Sequence, residues 1–240
     1  MIAFAQRVAM SSSSKTELRV DWASHEAAKY ACEHWHYSGC LPAGKIVKVG
    51  VWEDGKFIGV ILFSRGATPH IASPYQLTQY EVCELTRIAL CGHKTPVSRV
   101  LSIALKFLKR FSPGVRLVVS YADKDQNHHG GIYQATNWVY TGLQNADSRG
   151  AFIVKGKKVH PRSIGAMGGV QSLDWIRKNL DPNAKEYITQ GKHKYLMPLD
   201  DEIRAKIQPL AQPYPKRAKQ ATTGSTGEAA EHHRPARSIS

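Results

Sequence analysis

The segment from Tyr80 to Tyr140 limits the choice of fold most. It holds an apolar run EVCELTRIAL, a loop CGHKTPVS, an amphipathic stretch RVLSIALKFLKRF, a second apolar run VRLVVSYAD and then GGIYQATNWVYTG. Two apolar runs around one helical period predict a β-α-β crossover with neighbouring parallel strands. Polar groups gather where these elements end: Arg87 on the first strand, His93, Ser98 and Arg99 before the helix, and Asp123, Asp125, His128 and His129 after the second strand. Clefts in open α/β sheets form at the carboxyl ends of strands, so chemistry is expected there.

A chain of 240 residues, 42% of them hydrophobic, can bury a sizeable core, and one domain with irregular ends is the simplest organisation. Its 33 Lys and Arg against 19 Asp and Glu leave a net charge of +14, which points to a polyanionic partner, nucleic acid before an anionic membrane surface. Cys32, Cys40, Cys83 and Cys91 form no CxxC spacing, which argues against a zinc ribbon and fits reduced cytosolic thiols. No run reaches the apolar length of a membrane span, and MIAFAQRVAMSSSSK has too short an apolar core for a signal peptide, so a cytoplasmic protein is expected.

Residues 1–20 read as a flexible serine-rich lead, residues 21–205 as the folded domain, and residues 206–240 as a basic, disordered tail. Ser24 is placed to cap a helix with Ala27, Ala28, Ala31 and Cys32 on one face and Gly39 as its stop. Asp54-Gly55, between β-rich runs, signals a hairpin. Residues 67–79 read as a loop, and short strands are expected at Phe152–Val154, Lys157–Val159 and in KHKYLMPLD, with a helix ending before Pro182.

Single residues carry two readings each. His36 and Tyr37, after the first helix, offer acid, base or contact groups, or helix-end packing. Arg87 binds a substrate anion or pairs with Glu84 or Glu81, since an unpaired charge on a central strand is costly. Asp123 ends the second strand as a candidate proton acceptor, whereas Asp125 is expected to cap the following turn. His128 and His129 with His36 make a weak case for a metal, because adjacent loop histidines seldom both ligate one ion. Lys45, Lys48, Arg65, Arg149, Lys155, Lys157, Lys158 and Arg162 are the candidate DNA-phosphate contacts, each individually also explicable as solvated surface.

The order of helix, hairpin, strand, helix, strand and later strand resembles the GNAT acyltransferase superfamily. That likeness implies an α/β fold with a central mixed twisted sheet, splayed middle strands and flanking helices. HWHYSGCLPAGK, YEVCELTRIAL, HKTPVSRVLSIALKFLK, VVSYADKDQNHHGGIYQATNWVYTG and HKYLMPLD together are similar to the Mom family of phage DNA-modification proteins, over roughly His34 to Asp200. The resemblance implies conversion of adenine in double-stranded DNA to its N6-carbamoylmethyl form, protecting phage DNA from restriction in the host cytoplasm, with a homodimer as a plausible state. It places Ser98, otherwise read as a helix cap, at the donor site, and Tyr133 where GNAT enzymes carry a tyrosine that protonates the leaving group. CGHKTPVSR stands where those enzymes carry a glycine-rich pyrophosphate loop, leaving His93, Lys94 and Arg99 with a helix N-terminus as an anion site.

Adenine's exocyclic amine is a poor nucleophile inside a base stack, so it needs a base and extrusion from the duplex. Simple acetyl transfer gives an amide on N6, not an N–CH2 link. Because N6-glycyl- and N6-carbamoylmethyl-adenine are isomers, glycyl transfer from an activated carrier such as an aminoacyl-tRNA, followed by rearrangement, reaches the product; direct alkylation is the alternative. An acyl-CoA carrier stays open. So do two other functions: a GNAT-type N-acyltransferase acting on a small molecule or protein, and a non-catalytic nucleic-acid-binding module.

Overall fold

A computed structural model describes residues 16–66 and 68–216. A seven-stranded sheet runs in the order β1 (Leu18–Trp22), β2 (Ile46–Glu53), β3 (Lys56–Ser64), β4 (Val82–Leu90), β5 (Leu117–Asp123), β10 (Lys192–Pro198) and β6 (Val139–Gln144). Every neighbouring pair is antiparallel except β4 and β5. The expected crossover is therefore present: β4 feeds α2 (Val97–Phe111), which returns to a parallel β5.

Side-chain alternation sorts the core onto two faces. Val49, Val51, Phe63, Leu85 and Val118 meet Val100, Leu101, Ala104, Leu105 and Leu108 of α2. Val60, Leu62 and Ala89 face the other way and meet Ala28, Ala31 and Cys32 of α1 (His25–Trp35), whose N-terminal amide at Ala27 is capped by Ser24 Oγ at 3.1 Å. On that same second face, Ile203 and Ile207 of α6 (Asp201–Ile207) and Ile71 and Tyr75 cover Val119 and Leu196.

The Asp54-Gly55 hairpin forms as expected, both residues having positive φ (50° and 78°). Beyond β6 stands a smaller sheet, β8 (Lys157–Val159), β7 (Arg149–Val154) and β9 (Lys185–Ile188), with α4 (Pro161–Ala166) and α5 (Leu173–Asn179). It has its own core of Phe152, Val154, Ile164, Ile176 and Ala184. A four-residue helix, α3 (Gly131–Gln134), links β5 to β6.

The described structure continues past residue 206, where the tail was expected to begin. Ile207 is fully buried, Gln212 N–H donates to Tyr140 O at 2.8 Å, and the Tyr214 hydroxyl donates to Trp138 O at 2.6 Å. The rest of that tail and most of the serine-rich lead lie outside the described residues; residues 18–20 of the lead already belong to β1. No helix among the described residues is long and apolar enough to cross a membrane.

Candidate active site

β4 and β5 pair from Val82↔Leu117 to Leu85↔Ser120 and then part. Beyond that point β4 stays with β3 through Leu62↔Arg87 and Gly59↔Leu90, while β5 stays with β10 through Lys194↔Tyr121 and Lys192↔Asp123. A V-shaped notch opens between Arg87 and Asp123.

A bulge decides what points into it. The register passes from Leu62↔Arg87 to Phe63↔Leu85, leaving Thr86 as an extra residue whose hydroxyl donates to Leu62 O at 3.1 Å. Without it, Leu85 and Arg87 would share the α2 face. With it, Ile88 takes that face, packed on the α2 core, and Arg87 looks toward the end of α1. There Arg87 donates to its neighbour Thr86 O at 2.8 Å, while its buried Nε has no partner among the described residues. A buried donor left open in this way suits a ligand acceptor. Glu81, one of the partners expected for it, instead binds Arg116 at 3.7 Å and the Thr78 amide and hydroxyl.

α1 ends at His36, and the next residues fold over the notch. The Ser38 amide donates to His36 Nδ1 at 3.1 Å, which places the ring proton of the neutral form on Nε2. Burial first, then the positive Arg87 and His128, push the His36 pKa down to about 4. The ring is thus neutral at pH 7. Its signals in a two-dimensional NMR titration are expected to stay those of the neutral Nε2–H tautomer down to about pH 5; a midpoint near 6.5 would contradict this placement. Tyr37 leaves 55% of its surface exposed, yet desolvation of its hydroxyl and the Asp123 carboxylate raise its pKa. Its ring lies 4.3 Å from His36 and 5.8 Å from His128.

Tyr133 enters from α3 on the other side. Its hydroxyl is 2.8 Å from Ser120 Oγ, which in turn donates to Leu85 O at 2.9 Å, at the last paired rung of the two strands. Ser120 has one proton and gives it to a carbonyl, so Tyr133 is the donor to Ser120. Burial pushes the Tyr133 pKa to about 12, keeping the phenol protonated. Asp123 accepts from Asp125 N at 3.0 Å and stands 3.8 Å from Lys192 Nζ. His36, Tyr37, Arg87, Asp123 and Tyr133 therefore come together at one notch.

Asp123, not Asp125, caps the turn. Asp125 is buried to 3% side-chain exposure, accepting from Lys158 Nζ (3.0 Å), Thr189 Oγ1 (2.9 Å) and Gln190 N (2.9 Å), and so ties the small sheet to the end of β5. Burial alone would raise its pKa, but these donors outweigh it and hold it at about 2.

The loop before α2 also differs from expectation. Glu53, buried at the end of β2, accepts from the amides of Lys94 (2.7 Å) and Thr95 (2.8 Å), and Lys94 Nζ lies 3.7 Å from Asp54. The chain's own carboxylate thus occupies two loop amides just ahead of the helix N-terminus expected to hold an anion. His93 Nδ1 is 2.9 Å from Thr95 O, Pro96 rather than Ser98 is the N-cap, and Ser98 and Arg99 lie in the first turn of α2.

Of the DNA candidates, Arg149, Lys155, Lys157, Lys158 and Arg162 all fall on the small sheet or α4. Arg149 is paired with Glu186 at 3.2 Å and Lys158 with Asp125, so these two charges are partly answered within the chain. Lys48 lies elsewhere, on β2 of the large sheet, with Lys45 just before that strand and Arg65 just after β3. Lys45 and Arg65 edge a cavity of about 300 Å³ over Phe63, Tyr80 and Leu108, at the opposite end of β4 from the notch. Among the described residues no group of three or more His, Cys, Asp or Glu could hold a metal ion. Sequence reading missed Glu53, Ser120, Tyr121 and Lys194; a lone polar residue inside an apolar strand, as in LVVSYAD, was the available signal.

The description "Mom protein family" matches residues 17–216. The chain belongs to the Mom protein family. A relative from Escherichia phage Mu, "Methylcarbamoylase mom", is 25% identical over 209 residues, covering 83% of this chain and 84% of that protein. Solved structures with a similar fold include spermidine N-acetyltransferase from Vibrio cholerae, determined with CoA and spermine (TM-score 0.41, 8% identity, 75% of this chain and 95% of that one). A GNAT-family acetyltransferase from Streptococcus pneumoniae is another (TM-score 0.43, 12% identity, 77% and 100%). Their likeness bears on the fold alone. Within the Mom family match lie all the notch residues and the whole small sheet.

Proposed function

We propose that this chain is a transferase of phage DNA modification that converts adenine in double-stranded DNA to N6-carbamoylmethyladenine and so guards the DNA against restriction. Membership of the Mom family, with a phage Mu relative named as a methylcarbamoylase, carries this reading. The notch supports it, as does the cationic small sheet beside it. Asp123 accepts a proton from N6 of an extruded adenine, Arg87 holds the donor's carbonyl or carboxamide oxygen through its open Nε, and Tyr133, turning its hydroxyl away from Ser120, supplies a proton to the leaving group.

With an aminoacyl carrier the atoms balance in two steps. N6 attacks the glycyl carbonyl carbon, an N6–C bond forms, and the ester oxygen leaves with a proton from Tyr133. The free glycyl amine then attacks C6 and the original C6–N6 bond breaks, so the old N6 becomes the carboxamide nitrogen. Glu53, reaching from β2 to the loop before α2, is consistent with a donor that does not use those amides for a diphosphate.

The deciding experiment weighs nucleosides from the DNA of cells making this chain. A new carbamoylmethyl-adenine nucleoside is expected, and nitrogen-labelled glycine is expected to leave its label on C6 by the two-step route; a label found elsewhere removes that route. Affinity for duplex DNA should fall at least about a hundredfold between about 50 and about 200 mM salt, measured by fluorescence anisotropy. An affinity indifferent to salt would remove DNA as the substrate.

A further inference from the structure

Beside Asp123, on the same sheet face, stands a set of polar groups that this chemistry leaves unused. Tyr121 lies two residues before Asp123 and points the same way, and Lys194 on β10 is its cross-strand partner. Behind them, buried Tyr75 places its ring 5.3 Å from the Lys194 ammonium. Lys194 is half-buried, and among the described residues no carboxylate lies within ion-pair distance of it. Burial accordingly lowers its pKa. A partly desolvated ammonium over an aromatic ring, without an anion, is a costly arrangement unless a ligand supplies an acceptor.

Its depth argues for a base rather than a phosphate. The ammonium sits on the second-last strand of the sheet, against Tyr75, in the row that leads to Asp123. Adenine offers ring-nitrogen acceptors together with an amine bearing two hydrogens, whereas guanine carries a carbonyl where adenine has the amine. An ammonium beside Tyr121 and the Asp123 carboxylate two residues on match adenine's N1 and N6–H and oppose guanine's N1–H and O6.

We infer that Lys194 contributes to base specificity, donating a hydrogen bond to N1 of the extruded adenine while Asp123 accepts from the adjoining N6–H. This rests on the reading of the notch as an adenine-modifying site. It gives Tyr121 and Tyr75 the part of aromatic walls, the usual device for holding an unstacked base.

The test titrates the full chain, and its Lys194→Met and Lys194→Arg variants, with fluorescent duplexes that differ at one unpaired nucleotide. That nucleotide is adenine, 1-, 3- or 7-deazaadenine, or guanine. The wild-type chain is expected to favour adenine over guanine, and over 1-deazaadenine, by about tenfold. Lys194→Met should bind adenine and 1-deazaadenine within about twofold of each other with an unchanged salt slope, and Lys194→Arg should regain part of the preference. Two results overturn the inference: a Lys194→Met variant that discriminates like wild type, or one that loses affinity uniformly with a salt slope reduced by about one, the signature of a phosphate contact. A wild-type chain that binds none of the duplexes would instead sink the DNA-modifying function, and this inference with it.

Discussion

Replacing Asp123 by Ala is expected to lower the yield of modified adenine by at least about a hundredfold, the usual scale for losing a general base. The carboxylate also accepts from the Asp125 amide at 3.0 Å, so the same change should cost about 1 kcal/mol of stability, or roughly 2–4 °C in Tm. Asp123→Asn separates the two roles. An amide oxygen still accepts from Asp125 N–H but takes no proton, so this variant is expected to melt like wild type and yield as little product as Asp123→Ala. Nucleoside mass measurement beside a thermal melt reads both quantities. An Asp123→Asn variant with wild-type yield would remove Asp123 from the chemistry.

Asp125→Ala should be the most destabilising single change at this edge of the fold. It strands the Lys158 ammonium, the Thr189 hydroxyl and the Gln190 amide, all of which converge on one buried carboxylate. A loss of about 3 kcal/mol is expected, seen as a Tm lower by about 5–10 °C. The carboxyl is a stronger acid in the folded chain, at about 2, than its ordinary 3.8. Its contribution is therefore full above about pH 4 and disappears as pH falls toward 2, amounting to about 2 kcal/mol. Urea unfolding of wild type and Asp125→Ala across that window should show the gap between them narrowing with acid. A constant gap would mean that Asp125 acts through its shape and not its charge.

The β-α-β unit was legible because its signals are local: two apolar runs and a helical stripe that buries Val100, Leu101, Ala104, Leu105 and Leu108. The Asp54-Gly55 turn and the Ser24 cap were legible for the same reason. Strands β1, β6 and β9 were not read, since LRVDW, VYTGLQ and KEYI are short, mix polar with apolar residues, and become strands only by pairing with partners far along the chain. Of the site, the residue types at strand ends were visible; which neighbours would claim them was not. Glu53 looked like part of a hairpin, yet it reaches 41 and 42 residues ahead to hold the loop before α2. Asp125 looked like a turn residue, yet its partners Lys158, Thr189 and Gln190 lie 33 to 65 residues away. No local pattern encodes such pairings.

The extra residue at Thr86 makes orientation on β4 a matter of chain length as much as of side-chain identity. Were Thr86 paired opposite Leu62 in simple alternation, a guanidinium would be driven into the oily layer beneath α2 and Ile88 lifted out of it. Losing the bulge while keeping Thr86 would thus disable the chain more thoroughly than most substitutions, although every amino acid assigned a chemical task would still be present.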